Sequence, residues 1–185
     1  MYVAISLLRR HVTESNEIEQ IRARSGPFVS SHLHAAIQGA RYPHELPCPQ
    51  QIHATLCRET SMESFGGQLR TSGVYVGKYD MPLWEEVPFL LKEWERLVET
   101  YDHRIKKEAK MERERIALML HDLFLCVHPF RDGNGRTSRI LLNALRVRWG
   151  LPWLIIDSNK KRYYYRHIEQ TQQKIFRVAY PDVFP

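Results

Sequence analysis

Apolar residues recur at intervals of three and four along most of this chain, the period of helices with one buried face. Val87, Leu90, Leu91, Trp94, Leu97 and Val98 predict a helix over 83–102. Ile116, Leu120, Leu123, Phe124 and Val127 predict another over 112–127, which should end near His128 because Pro129 disfavours the α conformation in the residue before it. A third is predicted over 137–149 from Ile140, Leu141, Ala144, Leu145 and Val147, stopped by Gly150 and Pro152. Shorter patterns predict helices over 32–38, 50–58 and 162–176, with a proline-containing loop at 41–49 and a short apolar link at 154–156. Residues 67–77 break the helical period. There Val74, Tyr75 and Val76 sit between glycines, which reads as a hairpin. The first 25 residues read as a short apolar strand or docking segment followed by a helix. The expected architecture is all-α, a helical bundle with one β-hairpin, in a single domain over 1–185.

Composition narrows the class. With 185 residues, 43% of them hydrophobic, the chain can fill one core but hardly two. No apolar stretch reaches bilayer-spanning length. Arg9 and Arg10 follow the apolar start instead of preceding it, the reverse of a secretory signal. Cys48, Cys57 and Cys126 are odd in number and lack metal-ligand spacing, which suits a reducing cytoplasm. The net charge of +6 raises nucleic acid as a partner. However, the basic run 104–115 is interleaved with acids, the pattern of a solvated helix face. Neither nucleic acid nor membrane is therefore expected.

The chemistry is concentrated in His128-Pro-Phe-Arg-Asp-Gly-Asn-Gly-Arg-Thr-Ser-Arg139. His128 can accept a proton near neutral pH. Asp132 offers the hard oxygen that Mg²⁺ prefers alongside phosphate oxygens. Gly133 and Gly135 let backbone N–H groups turn onto an anion, and Asn134 tolerates a left-handed backbone and can donate from its amide. Arg136 and Arg139 carry planar forks that match phosphate. With a helix following directly, this cradle sits at a helix N-terminus, where free N–H groups favour anions. His121, seven residues before His128, reads as a packed core histidine.

The segment resembles the Fic family signature, His-Pro-Phe-x-(Asp/Glu)-Gly-Asn-Gly-Arg-x-x-Arg, at every fixed position. The likeness extends over residues 10–180: Gly67 to Gly77 looks like the family's flap, and Tyr164 and Tyr165 fall where the family has tyrosines beside the nucleotide base. The resemblance implies a protein adenylyltransferase that moves AMP from ATP to a Ser, Thr or Tyr hydroxyl of a target protein. His128 would be the base and Asp132 the Mg²⁺ ligand. Gly133, Asn134 and Gly135 would bind the α-phosphate region, Arg136 and Arg139 the outer phosphates, and Val74, Tyr75 and Val76 the target segment by strand addition. Gly135 stands where the family's kinase branch has lysine. Ser15 and Glu19 resemble the family's inhibitory helix, in which the glutamate pairs with the second motif arginine, here Arg139, and displaces the γ-phosphate. Gln20 occupies a position where glycine or asparagine is usual. Inhibition would act in cis or, in a homo-oligomer, in trans. Two other readings share the site: a non-catalytic nucleotide-sensing module, and an enzyme that removes AMP with Glu19 positioning water.

Overall fold

The structure, a computed structural model, describes residues 3–41, 45–77 and 79–179. Among these residues it has seven α-helices and one two-stranded hairpin. The helices are α1 (Ile5–Ile18), α2 (Pro27–Ala40), α3 (Pro49–Cys57), α4 (Val87–Arg104), α5 (Lys110–Val127), α6 (Asn134–Arg148) and α7 (Lys161–Ala179). The strands are β1 (Tyr75–Val76) and β2 (Tyr79–Asp80), antiparallel, with Tyr75 opposite Asp80 and Val76 opposite Tyr79. The all-α expectation with a single hairpin therefore stands.

The hub is α6. Every residue from Asn134 to Val147 except Gly135 is buried, because α2, α3 and α5 pack around it and α1 crosses it. Leu141, Leu142 and Leu145 meet Phe124 and Leu120 of α5, Trp94 and Val98 of α4, and Ile52 and Leu56 of α3 in one core. Burial of that apolar area is the main stabilising contribution. Polar side chains fix the register. Trp94 Nε1 donates to the Leu120 carbonyl at 2.7 Å, joining α4 to α5. Arg148 clamps both Asp102 oxygens at the far end of α6. Asn143 holds the link after α6, donating to the Leu154 carbonyl at 2.9 Å and accepting from its N–H at 2.6 Å.

Two expectations need correction. The apolar start is no strand: α1 begins at Ile5, and Leu8 and Val12 pack on Ala36, Val147 and Trp153. A strand there would have no sheet to join. The α6 boundary also moves. It starts at Asn134, three residues before the expected start at Thr137, because Gly133 supplies the turn that launches it. The proline-containing loop falls partly outside the described residues. The run 104–115 divides between the end of α4, a 3₁₀ turn over Ile105–Lys107 and the start of α5, with one exposed Arg115–Glu112 pair.

Candidate active site

α5 delivers His128 at its C-terminal end, where the backbone enters the left-handed region at φ 49° and ψ 58°. Gly133, at φ 77°, repeats that conformation as the N-cap of α6. A Cβ there would be strained and would also press on His53 Nε2 at 3.2 Å. Asn134 closes the loop between them. It accepts from Phe130 N–H at 3.0 Å and donates to the Phe130 carbonyl at 2.7 Å. It is helical and 2% exposed, and both ends of its amide are spent on the loop. What it can offer an anion is its backbone N–H. The first intrahelical bond of α6 runs from Thr137 N–H to the Gly133 carbonyl at 2.9 Å. The N–H groups of Asn134, Gly135 and Arg136 precede it, as an anion cradle requires.

Two residues outside the motif pin this loop. His53 Nε2 donates to the Asp132 carbonyl at 2.9 Å, Nδ1 accepts from Gly67 N–H at 2.9 Å, and the ring stacks on Phe130 at 3.8 Å. Burial pushes His53 down to about 4, so it serves as a neutral strut. Arg70 Nε donates to the His128 carbonyl at 2.8 Å, and its backbone N–H to the Pro129 carbonyl at 2.9 Å. Its other nitrogens reach the Ser72 and Pro82 carbonyls at the flap. Neither residue was legible in the sequence. They lie 79 and 58 positions from their partners in the loop, and no local pattern marks them.

A cavity of 370 Å³ opens in front of the cradle, lined by His128, Asp132, Gly133, Arg136, Phe28 and Glu19 among others. Burial pushes His128 down to about 4, and the Arg70 charge acts the same way. Among the described residues its buried Nδ1 has no partner at full hydrogen-bonding geometry, although the Leu125 backbone beside it favours the protonated ring. The ring is thus neutral at pH 7, with Nε2 as the nitrogen available to the cavity. Arg136 is 3% exposed, and its Nε and Nη1 have no hydrogen-bond partner among the described residues. Nη2 meets Met62 Sδ at 3.3 Å and one Asp132 oxygen at 3.9 Å, and the guanidinium lies 5.9 Å from the Phe28 ring. Burial lowers its pKa, the sign of a charge held without adequate compensation. The Asp132 side chain is 65% exposed, and one of its oxygens accepts from Gly133 N–H.

Arg139 is 1% exposed, and α1 and its C-cap supply three of its acceptors. It donates from Nη2 to Glu19 Oε1 at 2.6 Å and to the Ser15 carbonyl at 3.2 Å, and from Nε to Ser15 Oγ at 2.8 Å. Ser15 is neither a helix cap nor solvated; it is buried in the last turn of α1. Glu19, the C-cap of α1, reaches so far over α6 that a Cβ on Gly135 would run into its carboxylate. The next residue, Gln20, takes φ 60°. Glycine and asparagine adopt this left-handed region more readily than glutamine.

The other expected site residues lie outside the cavity lining. Tyr164 OH accepts from Arg139 Nη1 at 3.3 Å, and Tyr165 OH donates to the Ile18 carbonyl at 3.1 Å, so both contact the α1–Arg139 assembly. Val74 and Val76 pack on Tyr79 and Met81, leaving Tyr75 76% exposed. Gln173 of α7 donates to Tyr79 OH at 2.6 Å and ties the flap to the bundle. His121 is a packed, hydrogen-bonded core residue, as expected.

Among the described residues no cluster of three or more His, Cys, Asp or Glu side chains could hold a metal unaided. A lone exposed carboxylate beside an anion cradle does suit a Mg²⁺ ion that arrives on a polyphosphate and keeps oxygen ligands from it. None of the helices among the described residues is long and apolar enough to cross a membrane.

Comparison with known proteins places these features. A model of the Fic/DOC family matches residues 49–145. The chain is 34% identical over 104 residues to a protein named protein adenylyltransferase Fic from Drosophila ananassae, covering 56% of this chain and 20% of that one. It thus spans about a fifth of the length of that curated relative. Its fold matches a Fic-domain-containing signalling protein from Bacteroides thetaiotaomicron with a TM-score of 0.74 at 19% identity, over 90% of this chain and 72% of the other. A fragment of Fic-1 from C. elegans superposes with a TM-score of 0.68 at 20% identity, over 92% and 59% of the two chains.

Proposed function

The chain belongs to the Fic/DOC family, and on that footing we propose that it is a protein adenylyltransferase restrained by its own α1 helix. The observation that carries this reading is the buried Arg136 guanidinium with Nε and Nη1 unpaired beside a cavity that also holds a neutral histidine. A buried guanidinium whose one ion pair, to Asp132 at 3.9 Å, leaves two nitrogens without acceptors is costly, and a phosphate would supply them.

In this reading the target hydroxyl oxygen attacks the α-phosphorus of ATP. Its proton passes to His128 Nε2, an O–P bond forms, and the bond from the α-phosphorus to the bridging oxygen of pyrophosphate breaks. His128 is held by the Arg70 tie on its carbonyl. The N–H groups at the start of α6 face the charge that develops on the α-phosphate, and Arg136 takes the outgoing phosphates. Asp132 would hold Mg²⁺, which when bound neutralises phosphate charge. The flap presents Tyr75 for strand-wise docking of the target. Glu19 occupies the Arg139 fork that the terminal phosphate would use, so the resting state is inhibited. Glu19 also lines the same cavity as His128, which supports a second reading in which it orients water for AMP removal.

The test uses ATP labelled with radioactive phosphorus at either the α- or the γ-position, with Mg²⁺, a cell lysate as target source and Glu19→Ala protein. Protein labelled from the α-position alone, and lost with His128→Ala, is the expected result. Label from the γ-position would overturn the reading in favour of a kinase.

A further inference from the structure

The proposed reaction leaves one buried charge unused. Asp122 on α5 is 4% exposed and lies outside the motif, yet it receives three donors. They are His121 Nδ1 at 2.9 Å, His167 Nε2 at 2.8 Å and Thr171 Oγ1 at 3.3 Å. Burying a carboxylate costs several kcal/mol before its partners compensate. No arginine or lysine is among those partners. The hydrogen bonds continue inward: His121 Nε2 meets Tyr164 OH at 3.1 Å, and that hydroxyl accepts from Arg139 Nη1 at 3.3 Å.

Only one assignment of protons satisfies every link. Burial pushes His121 below its ordinary range, although Asp122 opposes this, so the ring is neutral with one donor and one acceptor. Asp122 can only accept, so Nδ1 carries the hydrogen and Nε2 accepts. Burial raises Tyr164, which keeps the phenol protonated. Its O–H then donates to His121 Nε2, leaving the oxygen lone pairs to Arg139. The Tyr164 ring also lies 5.7 Å from the guanidinium carbon.

Arg139 has two sets of partners. Ser15 and Glu19 belong to α1 and must withdraw, at least in part, before a phosphate can enter. Tyr164 belongs to α7, which His167 and Thr171 hold to Asp122 of α5, apart from α1. We propose that Asp122, acting through His121 and Tyr164, is the positioning residue that keeps the Arg139 guanidinium aimed at the terminal phosphate once Glu19 has left. This rests on the reading of Arg139 as a phosphate ligand. Asp122 fixes the His121 tautomer, the tautomer fixes the direction of the Tyr164 hydroxyl, and the hydroxyl fixes one nitrogen of the fork. The alternative is a purely structural tie of α7 to α5, made through His167 and Thr171.

The experiment measures binding of Mg²⁺-ATP and of AMP by calorimetry in the Glu19→Ala background, with a thermal melt of each protein. Asp122→Asn keeps the shape but allows the opposite tautomer, and Tyr164→Phe removes only the hydroxyl. Each should weaken ATP about tenfold and leave AMP, which lacks the outer phosphates, within about twofold. His167→Ala, which cuts the structural tie but not the relay, should bind ATP as the parent does. Equal weakening of ATP and AMP, or unchanged ATP binding in folded Tyr164→Phe protein, would overturn the relay. Arg139→Ala separates the two levels: if it leaves ATP binding intact, the phosphate role itself fails and the relay with it. If Arg139→Ala weakens ATP while Tyr164→Phe and Asp122→Asn do not, only the relay fails.

Discussion

Replacing Glu19 with alanine should lower the stability of the empty protein and raise its affinity for ATP, and both effects can be sized from the geometry. The Glu19–Arg139 contact is 2.6 Å, with the arginine side chain 2% and the glutamate side chain 31% exposed. Removing one partner of a fully buried pair costs about 3–5 kcal/mol. Here the loss is smaller, because Arg139 keeps Ser15 and Tyr164 and Glu19 is partly screened by solvent. Roughly 1–2 kcal/mol remains, which for a chain of this length lowers the melting temperature by about 2–8 °C. In the parent, a phosphate must displace a charge-assisted hydrogen bond worth roughly 1.5–3 kcal/mol. Its removal should therefore strengthen ATP binding by about ten- to a hundredfold. Calorimetry with Mg²⁺-ATP and melts with and without nucleotide read the two together. The variant should melt below the parent when empty and gain about 2.7 kcal/mol at ATP a hundredfold above its dissociation constant. ATP affinity unchanged within twofold, with a lowered melt, would show that Glu19 supports the fold but does not guard the phosphate site.

Other consequences are as direct. His128→Ala should abolish transfer while leaving ATP binding within a few-fold. In the Glu19→Ala protein the transfer rate should show no inflection between pH 6 and 8, because burial holds His128 near 4 and the ring is already neutral there; an inflection near 6.5 would contradict that. His11, His53 and His128 are held near 3, 4 and 4 by burial, so the unfolded chain takes up their protons first as pH falls below 6.5. Stability should thus decline by roughly 3 kcal/mol between pH 7 and 5.5, and a flat urea-melt midpoint over that range would refute it. Gln20→Gly removes a side chain from a left-handed position and should stabilise the protein by about 0.5–1 kcal/mol in urea melts. It should also deepen inhibition by firming the end of α1, whereas a rise in activity would detach Gln20 from the inhibitory contact.

What the sequence determined by itself was local. The spacing of Val87 to Val98 and of Ile116 to Val127 predicted α4 and α5, because a helix reports its buried face in every turn. The motif was legible because a turn, a cradle and two guanidiniums must lie within twelve residues to act on one phosphate chain. The first helix showed the limit. An apolar run of eight residues carries no sign of whether a sheet awaits it, and only the face of α6, α2 and Trp153 made it helical. Asn134 was expected to donate to an anion from its amide; the loop folds back so that Phe130 engages that amide, and the backbone N–H is what faces the cradle. The tertiary structure alone decided that Arg136 stands buried with two nitrogens lacking acceptors while Arg139 is claimed by Ser15 and Glu19. The two arginines have the same chemistry and lie one helical turn apart. What distinguishes them is which neighbours, over a hundred residues away in the chain, reach them through the fold.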